Sequence, residues 1–141
     1  MHPTLVKRLF EAEVPEIAEG TVTIRNISRE AGSRTKIAVY SRDPEVDAVG
    51  SCIGNKGSRI GAVVNELNGE KIDVIPYSED ICEYVKSALS PATVKSVELI
   101  SDRQAKAIVS PDQLSLAIGK MGQNARLAAR LTGCKIDIKS E

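Results

Sequence analysis

Two stretches of this 141-residue chain carry the same punctuation: IGNKGSRIGAVVNELNGEKID over 53–73 and IGKMGQNARLAARLTGCKID over 118–137. Each has Ile-Gly, a second Gly three residues on, then Leu-x-Gly and Lys-Ile-Asp, the second copy being one residue shorter inside its helical segment. Two copies of so short a motif do not make a solenoid, which needs several stacked repeats to close a core. They predict a tandem of two small modules, and the chain is long enough for two.

A pass along the chain gives each module the same order. The first is assigned to 1–77. In PTLVKRLFEAEV, Leu5, Leu9 and Ala12 share a helical face, Thr4 is a candidate cap, and Pro15 stops the helix. GTVTIRN and TKIAVYS alternate as strands, with Val22, Ile24, Ile37 and Val39 inward and a hairpin turn at Gly32-Ser33. Asp43-Pro44 reads as N-cap and first position of a helix whose face is Val46, Val49 and Ile53. After GNKG, Ile60, Val63, Val64 and Leu67 define a second helix, ended by Asn68-Gly69, and KIDVIPY is a strand closed by Pro76.

The second module is assigned to 78–141, with the boundary near Tyr77-Ser78. EDICEYVKSAL is a helix with Ile81, Val85 and Leu89 on one face. KSVELIS and AKAIVS are strands around Asp102-Arg103-Gln104. Leu114, Ala117 and Ile118 face inward before GKMG, and Leu127, Ala128 and Leu131 after it; CKIDIKS is the last strand. The order α-β-β-α-α-β thus occurs twice, an α+β architecture.

Gly accepts positive φ and lets another backbone come close, so each Gly pair predicts a sharp break between two helices. The helix that resumes presents N–H groups and a positive dipole end, a small anion site suited to phosphate. Lys56 and Lys120 add a charge within the break, and Arg59 and Arg126 follow in the next turns. A single GxxG is weak, because Gly pairs end helices in many proteins. The conjunction of the pair with flanking helices, an internal Lys and a following Arg, met twice, is what carries the functional reading.

Composition narrows the chemistry. Formal net charge is zero, with ten basic and eleven acidic side chains in residues 1–77 and nine and eight in 78–141. A polyanion would therefore meet local patches, not a general positive field. With no Trp, one Phe and three Tyr, aromatic stacking platforms are disfavoured. Cys52, Cys82 and Cys134 form no CxxC and read as buried thiols of a reducing, cytoplasmic protein. No apolar run approaches a membrane span and no signal peptide is visible. His2 has no partner pattern, Asp73 and Asp137 alternate away from the buried isoleucines, and Ser and Lys occur without triad-like spacing. No metal-ligand spacing or Walker loop is present. The chain is therefore read as a non-enzyme without metal or cofactor, in preference to a small enzyme acting on nucleotides.

An IGxxG loop between two helices, with a strand closing the unit, resembles the KH module, whose GXXG loop clamps the backbone of single-stranded RNA. The helix-and-hairpin start is similar to its prokaryotic, type II form. That implies two tandem KH modules, each with a three-stranded mixed sheet covered by helices. EVPEIAEGTVTIRNISREAGSRTKIAVYS, NELNGEKIDVI, ALSPA and QLSLAIGKMGQNARLAARLTG are similar to the tandem KH region of the NusA family of bacterial transcription elongation, termination and antitermination factors. The resemblance covers nearly the whole chain.

What it implies is a groove with the helix–GxxG–helix as one wall and the module's third strand as the other. The RNA-binding residues would be Ile53, Gly54, Asn55, Lys56, Gly57, Arg59 and Ile60 in the first module. In the second they would be Ile118, Gly119, Lys120, Met121, Gly122, Gln123 and Arg126. Bases would lie over Ile53, Ile60 and Ile118, with edge hydrogen bonds from the backbone near 72–74 and 136–138. The implied partners are nascent single-stranded RNA and, in a full-length context, RNA polymerase and other Nus-type factors, with the chain a monomer. Full-length bacterial members carry a polymerase-binding domain and an OB-fold domain ahead of the KH pair, whereas archaeal relatives consist of little beyond the two modules; ALSPA and GQNARLAARLTG resemble the bacterial form, so a fragment is expected in preference to a complete two-module protein. The competing reading is a module that has lost RNA affinity and only bridges polymerase to other factors; the Lys within both GxxG loops argues against it.

Overall fold

A computed structural model describes residues 3–141, which divide into two compact units, one running to Tyr77 and the other spanning Ser78–Glu141. His2 lies outside the described residues. Among those residues no helix is long and apolar enough to cross a membrane.

In the first unit, helix α1 (Pro3–Glu13) and a short α2 (Pro15–Ala18) precede the hairpin β1 (Val22–Glu30) and β2 (Arg34–Ser41). Helices α3 (Ala48–Ile53) and α4 (Ser58–Glu66) and strand β3 (Lys71–Pro76) complete it. The sheet order is β1-β2-β3, antiparallel between β1 and β2 and parallel between β2 and β3. The second unit repeats this without the extra short helix: α5 (Ile81–Ala88), β4 (Ser96–Ser101), β5 (Gln104–Val109), α6 (Leu114–Ile118), α7 (Gln123–Thr132) and β6 (Lys135–Ser140). Its order is β4-β5-β6 with the same antiparallel and parallel pairings. Each unit is thus a mixed three-stranded sheet flanked by helices. β3 and β6 lie at sheet edges, a place where unpaired backbone groups can accept an added strand.

Several local expectations are corrected. The buried face of α1 is Val6 and Phe10, continued by Val14, while Leu5 and Leu9 are half-buried and Ala12 is exposed. Phe10 has the largest apolar area to hide and sets the helix rotation. Thr4 sits inside the first turn of α1, and Pro15 opens α2 as well as stopping α1. Asp43 does not cap α3. Its carboxylate accepts from the Glu45 N–H and its carbonyl accepts from the Val46 N–H, a self-contained turn. The helix starts at Ala48, where the Asp47 carboxylate accepts from the Gly50 N–H. The second copy is shorter after its helix and not inside it: α7 is one residue longer than α4, but four residues join α4 to β3, with Asn68 and Gly69 at positive φ, whereas two join α7 to β6, with Gly133 alone at positive φ.

Two side chains that strand alternation sends outward are tied into the first unit. Lys36 is fully buried and its Nζ donates to Asp73 Oδ2 at 2.8 Å, so Asp73 is an ion-pair partner, shared with Arg34, and not a solvent-facing carboxylate. Burial pushes the Lys36 ammonium below its ordinary value against the pull of Asp73. Glu70 is the mirror case. Burial raises its carboxyl, but bonds from Arg29, Thr35 and the Gly32 N–H outweigh burial and hold it below the usual carboxylate range. These bonds close the hairpin turn onto the loop after α4.

Candidate nucleic-acid interface

The two glycine loops adopt one backbone conformation. Gly54 has φ 78 and ψ 175, Lys56 φ 55 and ψ 30, and Gly57 φ 75 and ψ 17. Gly119, Met121 and Gly122 have φ/ψ of 82/166, 56/27 and 75/12. The hydrogen bonds correspond as well. Gly54 N–H donates to Gly50 O and Gly57 N–H to Gly54 O; Gly119 N–H donates to Ser115 O and Gly122 N–H to Gly119 O. Each loop is a single 3₁₀ turn between two helices, entered and left through a glycine at positive φ.

The two glycines of a loop have different reasons to be glycine. A Cβ on Gly119 would lie 2.6 Å from the Asn124 amide nitrogen, and one on Gly54 2.9 Å from that of Arg59. The first glycine therefore lets the following helix seat against the end of the preceding one. At Gly57 a Cβ would meet nothing within 4 Å, and at Gly122 only Arg126 Nη1 at 3.9 Å. There only the left-handed backbone matters.

Superimposed by loop position, the basic residues are not counterparts. Lys56 is the third residue of its loop and Lys120 the second, so Asn55 matches Lys120 and Lys56 matches Met121. Arg59 matches Asn124, not Arg126. Arg59 Nη1 donates to Glu16 Oε1 at 2.9 Å and to Ser51 O at 2.8 Å. Asn124 is buried, and its Nδ2 donates to Leu89 O and Ala117 O, both at 2.9 Å. In each unit, then, the fifth residue after the first glycine reaches back to a carbonyl of the preceding helix and holds the loop shut. Asn124 escaped the sequence reading because a polar residue beside an exposed loop looks like surface; only the paired carbonyls reveal its role.

The exposed rim consists of Asn55, Lys56, Lys120, Met121 and Arg126. Arg126 Nη1 donates to Met121 O at 3.1 Å, which holds the guanidinium over the second loop. Gln123 is half-buried at the first position of α7. The apolar positions split. Ile53 is half-buried, and Ile60 packs against the core of the first unit. Ile118, expected inward, is 38% exposed, as is its neighbour Leu116 at 44%; Met121 is 87% exposed. Of the other residues expected inward on α6, Ala117 is buried and Leu114 half-buried. Cys52 lies buried behind the first loop, where burial pushes its thiol up to about 11 against the pull of Arg59.

The helix starts are less bare than the glycine pattern implies. Ser58 N–H donates to Asn55 O and Gln123 N–H to Lys120 O, within the 3₁₀ turns. What each loop leaves open to solvent is therefore its rim side chains and their charges.

Comparison with known proteins gives a consistent answer. Residues 1–77 match the model of the NusA-like first KH domain and residues 81–141 that of the NusA-like second KH domain. The chain is 60% identical over 141 residues to the transcription termination/antitermination protein NusA of Bacillus subtilis, covering 99% of this chain and 38% of that protein. The protein of that name from Halalkalibacterium halodurans is also 60% identical, with 99% and 37% covered, and that from Thermus thermophilus 53% identical, with 96% and 35% covered. The chain thus spans under two fifths of the length of these relatives. The crystal structure of APE1850 has the same fold, with a TM-score of 0.66, 24% identity and 96% of each chain covered.

Proposed function

This chain belongs to the NusA-like KH-domain family, and from that premise we propose that it binds single-stranded RNA through its two glycine loops, as part of a factor that regulates pausing, termination and antitermination by RNA polymerase. The observation that carries the proposal is the near-identity of the two loop backbones, each with exposed polar or basic side chains at its rim. Two equal phosphate-holding turns suit a repeating backbone, which offers one anion per nucleotide.

In this reading Lys56, Lys120 and Arg126 supply the charge that draws phosphate to the rim. Asn55, Met121 and Gln123 border the same path. Gly54, Gly57, Gly119 and Gly122 give the loops the positive-φ backbone and helix seating that present this rim to the strand. Bases rest on Ile53 and Ile60 in the first module and on Ile118 in the second, where the 38% exposure of Ile118 supports contact with a ligand over packing. The free edges of β3 and β6 offer backbone groups to base edges. Arg59 acts from behind, as a brace of its loop. The full-length protein would bring these modules to the nascent transcript in the cytoplasm, beside RNA polymerase and other Nus-type factors.

The test is a charge reversal that leaves the glycines in place. Asn55→Asp with Lys56→Asp, and Lys120→Asp with Met121→Asp, put carboxylates where phosphates would sit. The turns tolerate this, since Asp enters the left-handed region of Lys56 and Met121 more readily than most residues. Melting is expected to stay unchanged while affinity for single-stranded RNA falls in each variant and is mostly lost in the combination. Unchanged melting with unchanged binding would make both loops structural turns only. Duplex RNA of the same sequence is expected to bind more weakly, because its bases are not splayed.

A further inference from the structure

The composition argues against aromatic platforms, yet the fold assembles one. Of the four aromatic side chains, Phe10 and Tyr84 are buried in the two cores. The other two, Tyr40 and Tyr77, stand together, with ring centroids 6.4 Å apart and an interplanar angle of 88°. The Arg25 guanidinium lies 4.9 Å from both ring centroids.

Strand register explains the cluster. Val39, at the buried core, pairs with Pro76 across β2 and β3, and the Tyr77 N–H donates to Val39 O at 2.8 Å. The residues that follow, Tyr40 and Tyr77, are therefore brought side by side. The β1–β2 register slips between Ile24 and Asn26, and Arg25 is the residue left over. Ile24 and Ile27 pack on the core, while Arg25 is exposed. A bulge at such a place re-aims a side chain, here over the two rings. Thr23, Arg25, Tyr40 and Arg42 line an open recess. Tyr40 is 41% exposed, and neither Arg25 nor Arg42 belongs to the ion pairs of the described arginines.

We propose that this recess is a second RNA contact of the first module, taking one unpaired nucleotide with its base stacked on Tyr40 and its phosphate on Arg25. It rests on the RNA-binding reading above but uses none of the loop residues. A flat base matches the part of the Tyr40 ring that stays exposed, and the guanidinium lying over both rings supplies the charge for its phosphate. The ring beneath the guanidinium favours a nucleotide over an acidic peptide, which would use the charge and leave the ring unstacked. A strand leaving the glycine-loop groove would thereby gain an anchor that does not depend on those loops.

The experiment is NMR titration of the whole chain with a single-stranded oligoadenylate, in the native protein and in Tyr40→Leu, Arg25→Gln and Tyr40→Phe. Backbone amides at 23–25 and 40–42 and the Tyr40 ring protons are expected to shift, separately from amides at 54–57 and 119–122. Tyr40→Leu and Arg25→Gln should remove the first set, keep the second and weaken binding about tenfold, the usual effect of losing one stacked base. Tyr40→Phe should keep both sets. Shifts confined to the loops, or native affinity in both Tyr40→Leu and Arg25→Gln, would reduce the cluster to a brace of the sheet and overturn the proposal alone. An oligonucleotide that shifts neither set would overturn the RNA-binding reading and this one with it.

Discussion

Gly119→Ala and Gly122→Ala change the same loop by the same methyl group, yet the structure assigns them different costs. At Gly119 the backbone stands at φ 82 and ψ 166, a region open almost only to glycine, where any side chain costs about 1–3 kcal/mol. The new Cβ would also sit 2.6 Å from the Asn124 nitrogen and 2.8 Å from its Cβ. Comfortable heavy-atom contact lies nearer ~3.5–4 Å, so about 1 Å of overlap must be relieved by moving the start of α7. Overpacking of that kind adds about 1–3 kcal/mol, for a total of roughly 2–6. At Gly122 the backbone is left-handed and the nearest atom is 3.9 Å away, which leaves only a backbone cost of about 1–2 kcal/mol. A unit of this size loses ~4–8 °C of melting temperature per kcal/mol. Gly122→Ala should therefore melt about 5–15 °C lower, and Gly119→Ala should lower melting further or unfold the second unit outright. Thermal melts by circular dichroism, with amide spectra to show which unit has unfolded, decide the matter. The same order should hold for Gly54→Ala against Gly57→Ala. Equal shifts within a pair, or the reverse order, would refute the argument that the first glycine is required for helix seating.

Arg59→Met removes a partly exposed ion pair and a bond to a carbonyl, so the first unit should lose about 1 kcal/mol; an unchanged melt would end its role as a brace. Asn124→Ala, which strips a buried amide from two carbonyls, should cost the second unit more, about 2–3 kcal/mol by urea unfolding. Cys52, its thiol pushed up to about 11, should resist iodoacetamide in the folded chain at a pH of about 8, where the partly exposed Cys82 is alkylated; rapid labelling of Cys52 would contradict its burial. Glu70 is held below its unfolded value of about 4.3, so its stabilisation is full above that pH and is lost as pH falls through the folded value. Glu70→Gln should accordingly be less stable than the native chain at neutral pH and show a shallower acid loss; parallel urea midpoints at neutral and acid pH would expose the opposite trend.

The sequence by itself determined the doubling, the order of elements and the place of both loops. Those features depend on neighbours along the chain: glycine permits positive φ wherever it stands, and apolar spacing at the helical or strand period is local. It also carried the charge argument, since counts of Lys, Arg, Asp and Glu need no coordinates. Local chemistry misled where a nearby hydrogen bond competed, as when Asp43 closed its own turn and left the capping of α3 to Asp47. Tertiary structure decided what rests on residues distant in sequence. It chose Val6 and Phe10 over Leu5 and Leu9, because helix rotation answers to the sheet beneath it. It separated Arg59 from Arg126, both read as loop-side basic residues, by turning one back toward Glu16 and the other over its loop. And it gathered an aromatic pair from a chain poor in aromatics, because strand pairing set Tyr40 beside Tyr77 and a register slip laid Arg25 across both. Composition counts side chains, whereas strand register decides which of them meet.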